Sequence, residues 1–266
     1  MNWLMNKMKL SKYRNSSNVI LKNLFLLFQK FYWLLQDIGR FLLNRNFRSI
    51  LFLQLFKSKQ VHQTTPYTYY NRYPDIFNEC RLLTQNNKEL NILSYGCSTG
   101  EEVMTLREYF PHANIIGAEI NHASLKVCNN RNLDSKIKFI YSSRSEINKH
   151  GPYDIIFCMA VLQRKPHVVE AKKITNLKKI YPFEKFERQI IELDSFLKPG
   201  GIFVLHFSQY SFLDTKVAIN YDIKGKGTRY KNYLIFDANS MLIQSPPPQH
   251  SIFIKRTKNN NLEMSV

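Results

Sequence analysis

The sequence predicts an α/β fold, a doubly wound sheet with helices on both faces, and two observations carry that expectation. The apolar run Ile92-Leu93-Ser94-Tyr95 reaches a loop with two glycines, Gly96-Cys97-Ser98-Thr99-Gly100, and a helical pattern follows through Val103, Leu106 and Phe110. Strand-like runs and helix-like periods then alternate as stacked β–α units require. A strand that ends in a glycine turn and opens a helix brings bare backbone close to a ligand at the helix N-terminus.

The first element is N-terminal to that core. Leu24, Leu27, Phe28, Phe31, Leu34, Leu35, Ile38, Phe41 and Leu42 recur at three- and four-residue steps and form one broad apolar stripe of a helix. Lys22, Lys30, Asp37, Arg40, Arg45 and Arg48 interrupt residues 19–56, so no uncharged run approaches the roughly 18–20 residues of a spanning helix. No small-residue cleavage site follows the apolar part, so a secretory signal fits poorly. Residues 1–74 carry twelve Lys and Arg against the single acid Asp37. From Asp75 onward the balance is close to ordinary, so the net charge of +18 is an N-terminal property. It suits an anionic partner. A helical subdomain packed on the core, a helix lying in a bilayer interface and a dimer contact all stay open for residues 1–60.

Residues 61–89 form a polar, aromatic connecting segment with Tyr67, Tyr69, Tyr70, Arg72 and Tyr73, expected to cover the mouth of a site. The core, residues 90–257, continues with a second strand at Asn114–Glu119, a helix from about Ala123 to Asn130 and a third strand at Ile137–Tyr141. A fourth strand is expected at Tyr153–Met159, and a helix at Phe183–Phe196. The turn Lys198-Pro199-Gly200-Gly201 then leads to a fifth strand at Ile202–Phe207. Tyr233–Phe236 and Ser251–Lys255 are the expected C-terminal strands, and 258–266 a polar tail.

Glu119 ends the second strand about twenty residues past the glycine loop, where a carboxylate can accept hydrogen bonds from ribose hydroxyls. The spacing Gly-x-x-x-Gly does not fit the dinucleotide fingerprint Gly-x-Gly-x-x-Gly. Glu101 and Glu102, in the first helical turn, suit the macrodipole but would crowd a pyrophosphate. A nucleotide with a sulfonium and an amino-acid tail meets them better. The four cysteines (Cys80, Cys97, Cys128 and Cys158) are scattered, which predicts neither a metal site nor a disulfide framework and suits a reducing compartment.

GCSTGEE after a short strand resembles the first motif of class I S-adenosylmethionine-dependent methyltransferases, and is most similar to that of the chemotaxis-receptor glutamate methyltransferases. YDIIFCMAVLQ and FLKPGGIFVLHFS agree in order and spacing, so the resemblance covers roughly Leu90 to Ser208. It implies a Rossmann-like methyltransferase sheet of about seven strands, the last antiparallel, behind a helical N-terminal extension. The implied cofactor is S-adenosyl-L-methionine, with S-adenosyl-L-homocysteine as product. Gly96, Cys97, Ser98, Thr99 and Gly100 would contact its methionine part and ribose. Glu119 would hold the ribose hydroxyls, with Ile120 beside the adenine and Ser142, Ser143 or Arg144 near the adenine edge. Cys158, Met159 and Ala160 would line the transfer site. Met159-Ala160 stands where the receptor enzymes have Arg-Asn, and Gln163-Arg164-Lys165 where they have Ile-Tyr-Phe. Both departures fall on the acceptor side, and no Asn-Pro-Pro-Tyr follows the fourth strand.

Methyl transfer from a sulfonium is an in-line displacement that needs mainly proximity and alignment. A carboxylate or phosphate acceptor is nucleophilic as it stands, whereas a hydroxyl needs a base. Among His112, His122, His150, His167 and His206, the last is best placed, at the end of the fifth strand. Arg72 and Tyr73 are the N-terminal candidates for acceptor binding. Lys224-Gly225-Lys226-Gly227 could cradle a phosphate or form a surface loop, in a stretch expected to border the acceptor pocket. The expected protein is cytoplasmic or peripheral on the inner membrane face, with an unidentified acceptor. A cofactor-binding domain without turnover, tethered by its basic arm, and an RNA methyltransferase are the alternatives.

Overall fold

The computed structural model describes residues 18–65, 67–84, 89–131, 133–229 and 233–257. The first seventeen residues of the basic extension, with Lys7, Lys9, Lys12 and Arg14, and the polar tail 258–266 lie outside the described residues. The chain divides into two compact units, Met1–Phe52 and Leu53–Val266.

In the first unit, α1 spans Val19–Leu43. Asn18 caps it, its Oδ1 accepting from the amides of Ile20 and Leu21 at 3.0 and 3.3 Å, which satisfies two of the donors a helix start leaves unpaired. Asn44 breaks the helix and its Oδ1 accepts from Phe47 N at 2.9 Å, opening α2, Arg45–Phe56. Arg48 Nη1 closes the end of α1 by donating to the carbonyls of Phe41 and Leu42. No helix among the described residues is long and apolar enough to cross a membrane.

The second unit contains α3 (Pro74–Leu83), β1 (Asn91–Tyr95), α4 (Glu101–Tyr109), β2 (Asn114–Glu119), α5 (His122–Asn129), β3 (Ile137–Tyr141) and α6 (Arg144–His150). It continues with β4 (Tyr153–Met159), α7 (Pro166–Ala171), α8 (Phe183–Asp194), β5 (Leu197–His206), β6 (Tyr221–Lys224) and β7 (Ile252–Lys255). The seven strands form one sheet in the order β3-β2-β1-β4-β5-β7-β6. Neighbours from β3 to β5 are parallel, and β7 pairs antiparallel with both β5 and β6. The expected α/β sheet with an antiparallel last strand is therefore present.

Alternation along the strands divides the core into two layers. Leu93, Ile156, Cys158, Phe203 and Leu205 face one side, where α6, α7 and α8 supply Ile147, Val169, Phe186 and Ile190. Ile92, Ile155, Phe157, Ile202 and Val204 face the other, against Phe77 of α3, Val103 and Leu106 of α4 and Cys128 of α5. Both faces of the central strands are buried, so those strands read as nearly continuous apolar runs.

Two expectations need correction. Tyr233–Phe236 is not a strand: Phe236 makes isolated bridges to Tyr210 and Leu242, and β6 is formed by Tyr221–Lys224 instead. The turn Lys198–Gly201 lies within β5 as an irregularity, with Tyr153 paired to Leu197 and Ile155 to Ile202.

Candidate active site

The order of strands reverses at β1, whose neighbours are β2 and β4, and in open α/β sheets a ligand crevice forms outside the strand ends at such a point. The glycine loop lies there. Gly96 has φ +76°, and a Cβ on it would stand 2.6 Å from Val161 Cγ2. The close approach of β1 to the loop after β4 therefore requires glycine. Amides of Gly96 and Cys97 both donate to Ala118 O of β2, at 2.8 and 3.2 Å. Ser98 follows at φ +53°; its amide donates to Glu119 Oε2 at 2.8 Å, while its Oγ is buried without a hydrogen-bond partner among the described residues.

Glu119 is buried at the end of β2 and also accepts from Asn121 N, through Oε1, at 2.7 Å. Burial raises its pKa, against backbone donors from Asn121, Ser98 and Ile120 that lower it. A carboxylate has about four lone-pair sites, so capacity remains for a diol. Beside it, His122 and Tyr141 stack with ring centroids 4.7 Å apart and 9° between planes. This flat wall next to Ile120 was not anticipated, although an aromatic residue ending β3 was a usable signal.

The two glutamates of α4 take different partners. Glu101 is neutralised by Arg131 Nη2 at 2.5 Å and accepts from Thr99 Oγ1 at 2.6 Å. Glu102 turns inward, where Oε1 accepts from Ser94 Oγ of β1 at 2.7 Å. Burial pushes its pKa up to about 7, partly offset by the Ser94 hydrogen bond and the charge of Arg72. Both carboxylates stay by the loop, Glu101 paired with Arg131 and Glu102 held by Ser94. Ser94, a polar residue inside an apolar strand, was the sequence signal for the latter.

Arg72 donates from Nη1 to Tyr67 O at 3.0 Å, and its guanidinium lies over the rings of Tyr67, Tyr69 and Tyr73, 5.0–5.5 Å from their centroids. The aromatic connecting segment is pinned to α4, with Asn71 N donating to Thr105 Oγ1 at 2.9 Å. Tyr73 meets His206 edge-on at 4.7 Å and Phe207 at 6.0 Å, and Phe207 meets Tyr233 at 5.3 Å. His206 is buried at the end of β5, with Nδ1 2.8 Å from Ser251 Oγ. Burial, then the charge of Arg72, lowers its pKa to about 4. Arg72, Tyr73 and His206 are thus brought together.

At the end of β4, Cys158 is buried and its thiol pKa is raised by burial and by Glu102. Met159 is also buried. Ala160 takes φ +58° and its amide donates to His206 O at 2.7 Å. Gln163 bridges this turn to the C-terminal segment: Nε2 donates to Ala160 O and Oε1 accepts from Tyr233 OH, both at 2.9 Å. Cys97 and Cys128 lie in hydrogen-bonding reach of each other, and Cys128 Sγ donates to Ser98 O at 3.2 Å.

Of the residues expected past β3, Ser142 stands beside Glu119, and the other expected residues take separate positions. Ser142 N donates to Glu119 O at 3.0 Å, and Ser143 Oγ caps α6 by accepting from Glu146 N. Arg144 is exposed, its guanidinium 6.0 Å from the Phe196 ring. His112 and His167 are exposed, and His150 precedes β4, at the end of the sheet away from the loop. Gly225 of the Lys-Gly tract follows the outermost strand, where an added Cβ would meet Glu79 Oε1 at 2.6 Å. That position is two strands beyond β5, and a carboxylate beside it opposes a phosphate.

Residues 86–237 match the model of a family described as a methyltransferase domain, and the chain belongs to that family. Malonyl-[acyl-carrier protein] O-methyltransferase 2 of Ilyobacter polytropus is 30% identical over 122 residues, which cover 45% of this chain and 40% of that protein. The chain therefore spans well under half the length of this curated relative. Among solved structures, the plantazolicin methyltransferase BpumL in complex with SAH matches at 15% identity over 63% of this chain and 55% of that one, with a TM-score of 0.38. WbdD matches at 18% identity over 72% and 41%, with a TM-score of 0.41.

Proposed function

We propose that the chain is an S-adenosylmethionine-dependent methyltransferase that moves a methyl group to an oxygen acceptor. Glu102 carries this reading. A half-buried carboxylate whose pKa burial raises is best compensated by a cation, and the ammonium of a methionine tail is one. The partnerless Ser98 Oγ gives the same pocket a second polar group to be satisfied. Arg72 would meet the tail carboxylate, Glu119 the ribose hydroxyls, and Ile120 with the His122–Tyr141 stack the adenine.

When bound, the cofactor supplies a methyl group already activated for displacement. The chain's own residues bind, orient and exclude water. Tyr73, Phe207 and Tyr233 close the mouth at the end of β5. A hydroxyl acceptor needs a base, and His206, with its pKa lowered to about 4, is a weak one, whereas a carboxylate acceptor needs none. The O-methyltransferase relative supports oxygen as the atom methylated. A receptor glutamate fits less well, because Met159-Ala160 and Gln163-Arg164-Lys165 replace the receptor enzymes' residues on that side. We also infer that the basic residues of 1–60 hold an anionic surface, on the cytoplasmic side, where four free cysteines fit a reducing compartment.

Calorimetry with S-adenosylmethionine and S-adenosylhomocysteine tests the reading. Binding of both, lost in Glu102→Ala, is expected. No measurable heat at millimolar ligand would sink it.

A further inference from the structure

A helix of a soluble domain buries its most apolar face, and α1 does the reverse. Phe25, Gln29, Tyr32 and Gln36, at three- and four-residue steps, are the covered line. Gln36 Nε2 donates to Tyr32 OH there at 2.8 Å. The purely apolar line of Leu24, Leu27, Phe31, Leu34, Leu35 and Ile38 is 46–62% exposed. At 100° per residue it belongs to a sector about 160° wide that contains no charge. Lys22, Lys30, Asp37 and Arg40 all fall outside that sector. Apolar patches beyond a few hundred Å² on a protein surface mark contact with another phase or molecule.

We propose that α1 docks in the plane of the interface on an anionic lipid bilayer, its Leu24–Ile38 face in the acyl boundary and its basic residues among the headgroups. This rests on the reading that residues 1–60 hold an anionic surface and is independent of methyl transfer. Charge selects the occupant. Residues 1–52 carry nine Lys and Arg against Asp37 alone, so a second copy seated on this face would bring two strongly basic units together. A nucleic acid would use the cations but leave the apolar face wet. An anionic bilayer uses both, since long basic side chains keep their charges at headgroup level while the apolar face is buried.

Co-sedimentation of the full chain with vesicles tests this, using equimolar phosphatidylglycerol–phosphatidylcholine and phosphatidylcholine alone. Binding to the anionic vesicles is expected, weaker by about tenfold or more on phosphatidylcholine. The triple variant Leu27→Asp, Leu34→Asp, Ile38→Asp is expected to lose binding with its circular dichroism otherwise native. The single change Leu34→Gln, too mild to unfold the chain, is expected to weaken it in part. Absence of vesicle binding overturns the proposal: with RNA bound instead, the anionic-surface reading survives, and with neither bound both fail. Vesicle binding unchanged by the apolar substitutions, or a dimer in solution that those substitutions dissociate, also overturns it.

Discussion

Ser94 Oγ of β1 donates to Glu102 Oε1 of α4 across 2.7 Å, beneath the glycine loop. The bond ties the first strand to the first helix of the nucleotide-type crevice and holds a carboxylate inside it. With the pKa of Glu102 raised to about 7, the folded protein binds more protons than the unfolded chain between about pH 4.5 and 7. This group's contribution is complete below the unfolded value and is lost as pH rises through the folded one. Glu102→Gln should therefore stabilise the ligand-free protein above pH 7 by on the order of 1–3 kcal/mol, with little effect at pH 4. Urea melts at the two pH values check it.

Binding of the cofactor should show the complementary dependence. An ammonium prefers the ionised carboxylate, so wild-type affinity should rise as pH passes through about 7. The Glu102→Gln variant should bind more weakly and without that rise. Calorimetry across this range reads both outcomes, and a wild-type affinity flat with pH would remove Glu102 from the tail-binding role.

Glu119→Ala removes the acceptor for Ser98 N and Asn121 N as well as the proposed ribose contact. Hydrogen bonds to a charged acceptor are worth about 1.5–3 kcal/mol, which predicts roughly ten- to hundredfold weaker S-adenosylhomocysteine binding. Equal affinity in wild type and variant would exclude the residue from the ribose site.

Gly96→Ala places a methyl group 2.6 Å from Val161 Cγ2 at φ +76°. A loss of about 1–3 kcal/mol is expected from overpacking and left-handed strain together. Adding Val161→Ala should recover only the packing part, so a thermal-denaturation double-mutant cycle separates the two.

Two buried histidines work in the opposite sense to Glu102. His62 lies 2.6 Å from Tyr181 OH through Nδ1, and burial, then the charge of Lys185, lowers its pKa to about 3. His206 is lowered to about 4. In both cases the unfolded chain binds the proton first, so stability falls as pH drops below about 6.5. Replacing His62 with Gln should flatten that acid limb while costing stability at pH 7 through the altered Tyr181 contact. A limb of unchanged slope would show that His62 is not its source.

Much of the core was legible because its signals are local. The strands at 114–119, 137–141 and 153–159 follow from short apolar runs between turn residues, and both faces of the central sheet being buried makes such runs nearly continuous. The C-terminal strands were harder: Tyr221–Lys224 is only half apolar and is a strand because β7 pairs with it. Tyr233–Phe236 has better composition but no continuous partner. For the loop, glycine spacing and Glu119 were readable in advance. The partition of Glu101 and Glu102 was not, since Arg131 pairs with Glu101 across 30 positions.

By itself the sequence determined the succession of β–α units, the glycine turn that must approach another strand end, and the charge-free stripe of α1, all consequences of periodicity and backbone freedom. Tertiary structure alone decided which glutamate pairs with Arg131 and which turns onto Ser94, how Arg72 and Tyr73 reach His206, and that the apolar stripe of α1 faces outward. Those depend on long-range packing and on the local dielectric, which no neighbouring residue in the chain encodes.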